Sequence, residues 1–104
     1  AYFNYGRMLY DGNGVEQNKP DAARYYRIAA EHGHLDAMNN LGIMLYTGDE
    51  IPQNQDEAIR YMRMAANLGH AGAIANLRNM TTLSTFSFVF SNLFSRWSFF
   101  NKIE

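Results

Sequence analysis

The sequence predicts an all-α fold: an α/α superhelix, or solenoid, of two full helical hairpins, a partial third and an apolar C-terminal segment. Three observations predict it. The first two copies of a 36-residue repeat agree without a gap at 17 of 36 positions, among them Asn4/Asn40, Gly6/Gly42, Leu9/Leu45, Gln17-Asn18/Gln53-Asn54 and Arg24-Tyr25/Arg60-Tyr61. Apolar residues recur at helical spacing in each copy, as Ala1, Tyr5, Met8 and Leu9 and again as Ala37, Leu41, Met44 and Leu45. Glycines punctuate both copies at the same places, Gly12/Gly48 and Gly33/Gly69. A repeat of this length in strict register means stacked supersecondary units that bury a core only against one another.

Each unit reads as two helices. The first spans about residues 1–10 and again 37–46. Gly6 and Gly42 lie inside it. A mid-helix glycine costs about 1 kcal/mol relative to alanine, so its reuse predicts close helix–helix approach. Gly12 and Gly48 fit helix ends that need a left-handed backbone. The following loop carries one apolar residue, Val15 or Ile51, expected to plug the hairpin. Asn18 and Asn54 precede Asp21 and Glu57 by three residues, a capping-box-like start for the second helix, with Pro20 tolerated in its first turn. That helix uses Ala22, Tyr25, Ala29 and Ala30, then Ala58, Tyr61, Ala65 and Ala66, and ends at Gly33 or Gly69.

The units divide as 1–36, 37–72 and a partial 73–80, in which Ala73, Asn76, Leu77 and Met80 keep the pattern. Residues 81–104 do not, and all serines of the chain lie there. Leu83, Phe86, Phe90, Leu93, Trp97 and Phe100 follow a helical seam, whereas Thr85 to Phe90 alternates like a strand. A capping helix over Ala73, Leu77 and Met80 is the first reading of this tail. A membrane or interface segment and a poorly ordered terminus are the others; the uncharged stretch from Asn79 to Ser95 is short and Ser/Thr-rich for a membrane span. Asn79-Met80-Thr81 is a glycosylation sequon, meaningful only in a secretory chain.

The residues Ala1, Tyr5-Gly6, Leu9-Tyr10, Gly12, Gly14-Val15, Ala22, Tyr25-Tyr26, Ala29-Ala30 and Gly33, and in the second copy Ala37, Leu41-Gly42, Leu45-Tyr46, Gly48, Ile51, Ala58, Tyr61, Ala65-Ala66 and Gly69, resemble the Sel-one-like repeat, a tetratricopeptide-related hairpin. Tyr5 in place of Leu, Glu50 in place of the second loop glycine and Asn18/Asn54 in place of an acidic residue depart from it. The resemblance covers residues 1 to about 80. It implies a right-handed superhelix acting as an adaptor in protein complexes, without a shared catalytic constellation.

Composition narrows the function classes. With 104 residues, a net charge of -1 and 47% hydrophobic residues, overall charge suggests neither a nucleic acid nor an anionic membrane. The absence of cysteine excludes disulfides and thiolate zinc sites and leaves the compartment open, with the cytoplasm as the default. Residue 1 is Ala and the repeat begins at once, which reads as a piece of a longer protein; targeting information is then missing rather than negative.

The chemistry census points away from catalysis. Asp11-Gly12-Asn13-Gly14 starts like a calcium loop, but Val15 and Glu16 break the pattern and the second copy loses it further. His32, His34 and His70 have no converging carboxylates and read as imidazoles just beyond helix ends. Serines occur only in the tail, and no phosphate loop is present. Arg24, Arg27, Arg60 and Arg63 form a basic ladder that Asp21, Glu31 and Glu57 are placed to neutralise along the same helices. The repeat region holds seven basic and nine acidic residues, too acidic for an RNA-reading surface.

The predicted function is therefore a non-catalytic scaffold or adaptor that binds a protein or peptide, with no cofactor, metal or small-molecule substrate. By the tetratricopeptide-like resemblance, the first helices line the concave face. Phe3, Arg7, Tyr10 and Asp11, then Asn39, Ile43, Tyr46 and Thr47, would point inward as partner-binding residues. For Tyr10 and Tyr46, inter-repeat packing is the competing role. The rival function is a membrane-associated adaptor subunit tethered by the Phe-rich tail.

Overall fold

The computed structural model describes residues 1–80, and the readings made above for residues 81–104 lie outside them. Four helices follow in order: α1 (Tyr2–Asp11), α2 (Lys19–Glu31), α3 (Leu35–Thr47) and α4 (Gln55–Asn67). A further helix begins at residue 71 and continues to residue 80, the last described position. α1 packs on α2, α2 on α3 and α3 on α4, the nearest-neighbour stacking of a helical-repeat solenoid.

Local chemistry sets the helix ends. The Asn18 side chain accepts from the Asp21 N–H at 3.1 Å and Asn54 accepts from the Glu57 N–H at 3.0 Å, each satisfying an orphan donor of the first turn. Asn18 and Asn54 also donate back to the carboxylates of Asp21 and Glu57. Gly12 and Gly48 end α1 and α3 with φ of 72° and 71°, a conformation that penalises any Cβ. Two residues after Gly48, Glu50 is held at φ 60°, where the first copy uses Gly14.

The histidines at the hairpin junctions act as helix caps. His34 Nδ1 accepts from the Ala37 N–H at 3.2 Å and starts α3 two residues before the boundary read from the apolar stripe. His70 Nδ1 accepts from the Ala73 N–H at 2.9 Å and starts the next helix in the same way. An imidazole serving as an N-cap acceptor at Nδ1 carries its proton on Nε2, and in His70 that N–H meets Asp36 Oδ1 at 2.6 Å. These histidines thus begin the following helices rather than decorating the ends of the preceding ones.

The core is built from alanines facing larger chains. Ala22, Ala29 and Ala30 of α2 and Ala37 of α3 are buried with Ala58 and Ala65 of α4, around Leu9, Tyr26, Met38, Leu41, Met44, Leu45, Tyr61 and Met62. A Cβ built on Gly6 would lie 2.9 Å from the Tyr26 ring, and one on Gly42 would lie 2.9 Å from Met62 Cε, so both glycines let a second helix approach. Val15 and Ile51 pack against the core from their loops. The apolar stripe differs between the copies. Leu41 and Met44 are buried in α3, whereas their counterparts Tyr5 and Met8 in α1 are 41% and 37% exposed.

Candidate functional site

The first helices of the two hairpins, α1 and α3, carry all eight residues expected to meet a partner, and four of them share one groove. Arg7, Tyr10 and Asp11 of α1 and Ile43 of α3 line an open depression of about 260 Å³, together with Tyr26, Asn40 and Met44. Helical geometry assembles it. Arg7 and Asp11 are four apart and stand on one face of α1, while Asn40, Ile43 and Met44 stand on one face of α3.

The floor of the groove is preorganised. Tyr26 is buried, and burial pushes its hydroxyl above the ordinary tyrosine range, an effect partly offset by its hydrogen bond with Asn40. Tyr10 closes one end. Its hydroxyl donates to Asp49 Oδ2 at 2.7 Å, a bond from the first hairpin to the loop of the second. Lys19 Nζ reaches Asp49 Oδ1 at 3.1 Å and sits 4.9 Å from the Tyr10 ring centre. The carboxylate of Asp49 is held below its usual range by the Tyr10 hydroxyl and then by Lys19. The Tyr10 hydroxyl is correspondingly held high, first by that bond and then by burial. Tyr10 is therefore both an inter-repeat tie and a groove wall.

The other four expected residues have different surroundings. Phe3 stacks on His34 at 4.3 Å and tilts against Tyr26 at 5.7 Å. Asn39 accepts from Asn76 Nδ2 at 3.1 Å, tying α3 to the helix at 71–80. Tyr46 is half-buried against the core, with its carbonyl accepting from Gln53 Nε2 at 2.8 Å. The Thr47 hydroxyl donates to the Ile43 carbonyl at 2.9 Å. Sequence reasoning missed Tyr26, Asn40 and Met44 as groove residues. The signal for Asn40 was present, since Asn recurs at positions 4, 40 and 76.

The opposite face carries the arginine ladder, and its pairing is more long-range than helix neighbours alone predict. Arg24 pairs with Asp21 at 3.6 Å and Arg60 with Glu57 at 3.9 Å, as expected. Arg27 pairs with Glu57 of the next hairpin rather than with Glu31, and it also lies 5.9 Å from the Tyr61 ring centre. Stacking brings Glu57 against Arg27, whereas Glu31 points to solvent at the end of α2. Among the described residues, no group of three or more His, Asp or Glu side chains is arranged to hold a metal ion, and no helix is long and apolar enough to cross a membrane.

Comparison with known proteins agrees with this architecture. A sequence model described as Sel1 repeat matches residues 1–34 and 35–70. Among solved structures, the chain resembles a Sel1 repeat protein from Oxalobacter formigenes, at 34% identity over 80% of this chain with a TM-score of 0.76. It also resembles c5321, a protective antigen of uropathogenic Escherichia coli strains displaying an SLR fold, at 29% identity over 69% of this chain with a TM-score of 0.67. A third similar structure is cysteine rich protein B of Helicobacter pylori, at 26% identity over 73% of this chain with a TM-score of 0.69. The chain spans 34%, 15% and 57% of the lengths of these three proteins. No curated protein sequence matches it. Two consecutive repeats matched in register, on hairpins stacked as in these relatives, make the chain a member of the Sel1 repeat family.

Proposed function

We propose that this chain is a non-catalytic adaptor that binds a peptide segment of a protein partner in the groove between α1 and α3. Sel1 repeat proteins generally act as protein-interaction scaffolds, and the groove supports the finer reading. The observation that carries it is the composition of the groove walls. Ile43 and Met44 offer an apolar floor, while Arg7, Asp11 and Asn40 offer one cation, one anion and a carboxamide around it. A volume of about 260 Å³ suits one or two side chains of a peptide and is at the small end for an enclosed small-molecule site. Opposite charges four residues apart on α1 give no net field for a polyanion, which argues against a nucleic acid. The fitting ligand presents an apolar side chain to Ile43, flanked by polar groups that Arg7, Asp11 and Asn40 can meet.

Affinity capture with paired variants tests the proposal. Ile43 is 40% exposed, so Ile43→Arg fills the groove without disturbing the core. Proteins retained by the parent chain and by the opposite-face variant Arg24→Ala, but lost with Ile43→Arg, support the groove. Equal retention by all three overturns it.

A further inference from the structure

Two opposite charges in the groove between α1 and α3 are left without partners. Arg7 and Asp11, four residues apart, line it from α1, while Ile43 and Met44 line it from α3. Among the described residues neither charge has an ion pair or a side-chain hydrogen bond, whereas Lys19 and Asp49 at the Tyr10 end neutralise each other. Arg7 holds its guanidinium 6.0 Å from the Phe3 ring centre, one turn back along α1, instead of pairing with Asp11.

Helix stability does not account for Asp11. It is the last residue of α1, where the helix dipole is negative and a carboxylate is unfavourable. In the second copy Thr47 stands at this position, and its hydroxyl is satisfied by the Ile43 carbonyl at 2.9 Å. Ile43 itself stands where Arg7 stands, so the second copy is neutral at both positions.

The spacing fits an extended chain. Four residues of helix rise about 6 Å, and alternate residues of an extended peptide lie about 6.6 Å apart on one side of it. The residue between them faces the other way.

Resting on the peptide groove argued above, we propose that the recognised segment is an extended tripeptide of acidic, apolar and basic residues. Its acidic side chain meets Arg7, its basic side chain meets Asp11, and the apolar residue between them turns to Ile43 and Met44. Arg7 and Asp11 are exposed, so each charged contact adds little affinity by itself and the pair acts on selectivity. A segment charged alike on both sides gains one contact and meets repulsion at the other.

The test is selection from a displayed library of random heptapeptides on the immobilised full chain. Peptides enriched over those on Ile43→Arg should carry an apolar residue between one acidic and one basic neighbour. Either order along the peptide satisfies this, since an extended chain can enter the groove from both ends. Synthetic peptides with both neighbours of one sign should bind about fivefold more weakly. Arg7→Glu should turn the selection toward two basic neighbours, and Asp11→Arg toward two acidic ones. Arg24→Ala on the opposite face should leave it unchanged, and circular dichroism checks that each variant keeps its helices. Peptides lost with Ile43→Arg whose charge pattern is the same on the parent, Arg7→Glu and Asp11→Arg overturn this inference and leave the groove standing. So does enrichment of like-charged neighbours on the parent. Equal recovery on the parent and on Ile43→Arg overturns the groove and this inference with it.

Discussion

Helices α1 and α3 occupy the same place in successive repeats, yet they bury different amounts of the same pattern. Leu41 and Met44 are 0% and 2% exposed, whereas Tyr5 and Met8 at the equivalent positions are 41% and 37% exposed. The cause is the number of neighbours. Among the described residues, α3 packs on both α2 and α4, while α1 packs closely on α2 alone. The substitution of Tyr5 for a leucine suits its position, since Tyr5 packs edge-on against Tyr25 at 4.8 Å and leaves its hydroxyl in water. In a solenoid, burial belongs to the stack rather than to the helix, so equal sequence positions are unequal in energy.

The sharpest way to break this comparison is to truncate the paired positions. Leu41→Ala should destabilise by about 2–5 kcal/mol, as a fully buried leucine does, while Tyr5→Ala should cost less than about 1 kcal/mol. Denaturant midpoints of the two variants check this, and similar losses would show that α1 is covered as well as α3.

The helix glycines sharpen it next. Gly42→Val should destabilise by about 1–3 kcal/mol through overpacking against Met62. With alanine the copies should separate. The neighbour of Gly6 is the rigid Tyr26 ring, hydrogen-bonded to Asn40, whereas the neighbour of Gly42 is the flexible Met62 side chain. Thermal melts should therefore rank Gly6→Ala below Gly42→Ala, and the reverse order would mean that the ring moves more easily than the thioether.

The tie between the hairpins predicts a smaller loss with a pH signature. Asp49→Ala removes the acceptor for both Tyr10 and Lys19 and should cost about 1 kcal/mol. A carboxylate whose pKa is lowered by folding stabilises above its unfolded value of about 4, and that contribution is lost as pH falls through the lowered folded value. Tyr10 and Lys19 have raised values, so their contributions hold below about pH 10 and fade as pH rises through those folded values. The difference in melting temperature between parent and Asp49→Ala should accordingly be flat near neutrality and shrink toward both extremes. A difference that grows in acid would show that the tie is not what stabilises this junction.

The smallest effect is a gain. Glu50 holds a left-handed backbone at φ 60°, where the first copy has Gly14 at φ 80°. Glu50→Gly should stabilise by a few tenths of a kcal/mol, the relief of Cβ strain less the added chain entropy of glycine. A lower melting temperature would mean that the strain is already relieved by contacts of the Glu50 side chain.

Much of this was legible in the residues because its signals are local or periodic. The Asn18 and Asn54 caps, the left-handed Gly12 and Gly48 and the close approach at Gly6 and Gly42 each follow from one residue type at one place in a helix. His34 and His70 were harder to read. An imidazole after a helix-ending glycine can belong to either helix, and only backbone geometry directs Nδ1 at the next helix. Arg27 shows the same limit, since Glu31 is its neighbour along the helix but Glu57, 30 residues away, is its partner in space. In the candidate groove, Arg7 and Ile43 were found through the concave-face resemblance, whereas Tyr26 was assigned to no face because it comes from a second helix and reaches the groove floor between two first helices.

The sequence by itself determined the hairpin period, the helix types and their asparagine caps, because these depend on neighbours within a few residues along the chain. Only the tertiary structure decided which copy of each repeated residue is buried, which carboxylate meets Arg27 and which side chains share the groove. Those outcomes depend on how one hairpin covers the next, and a pattern repeated identically along the chain carries no record of which of its copies is covered on both sides.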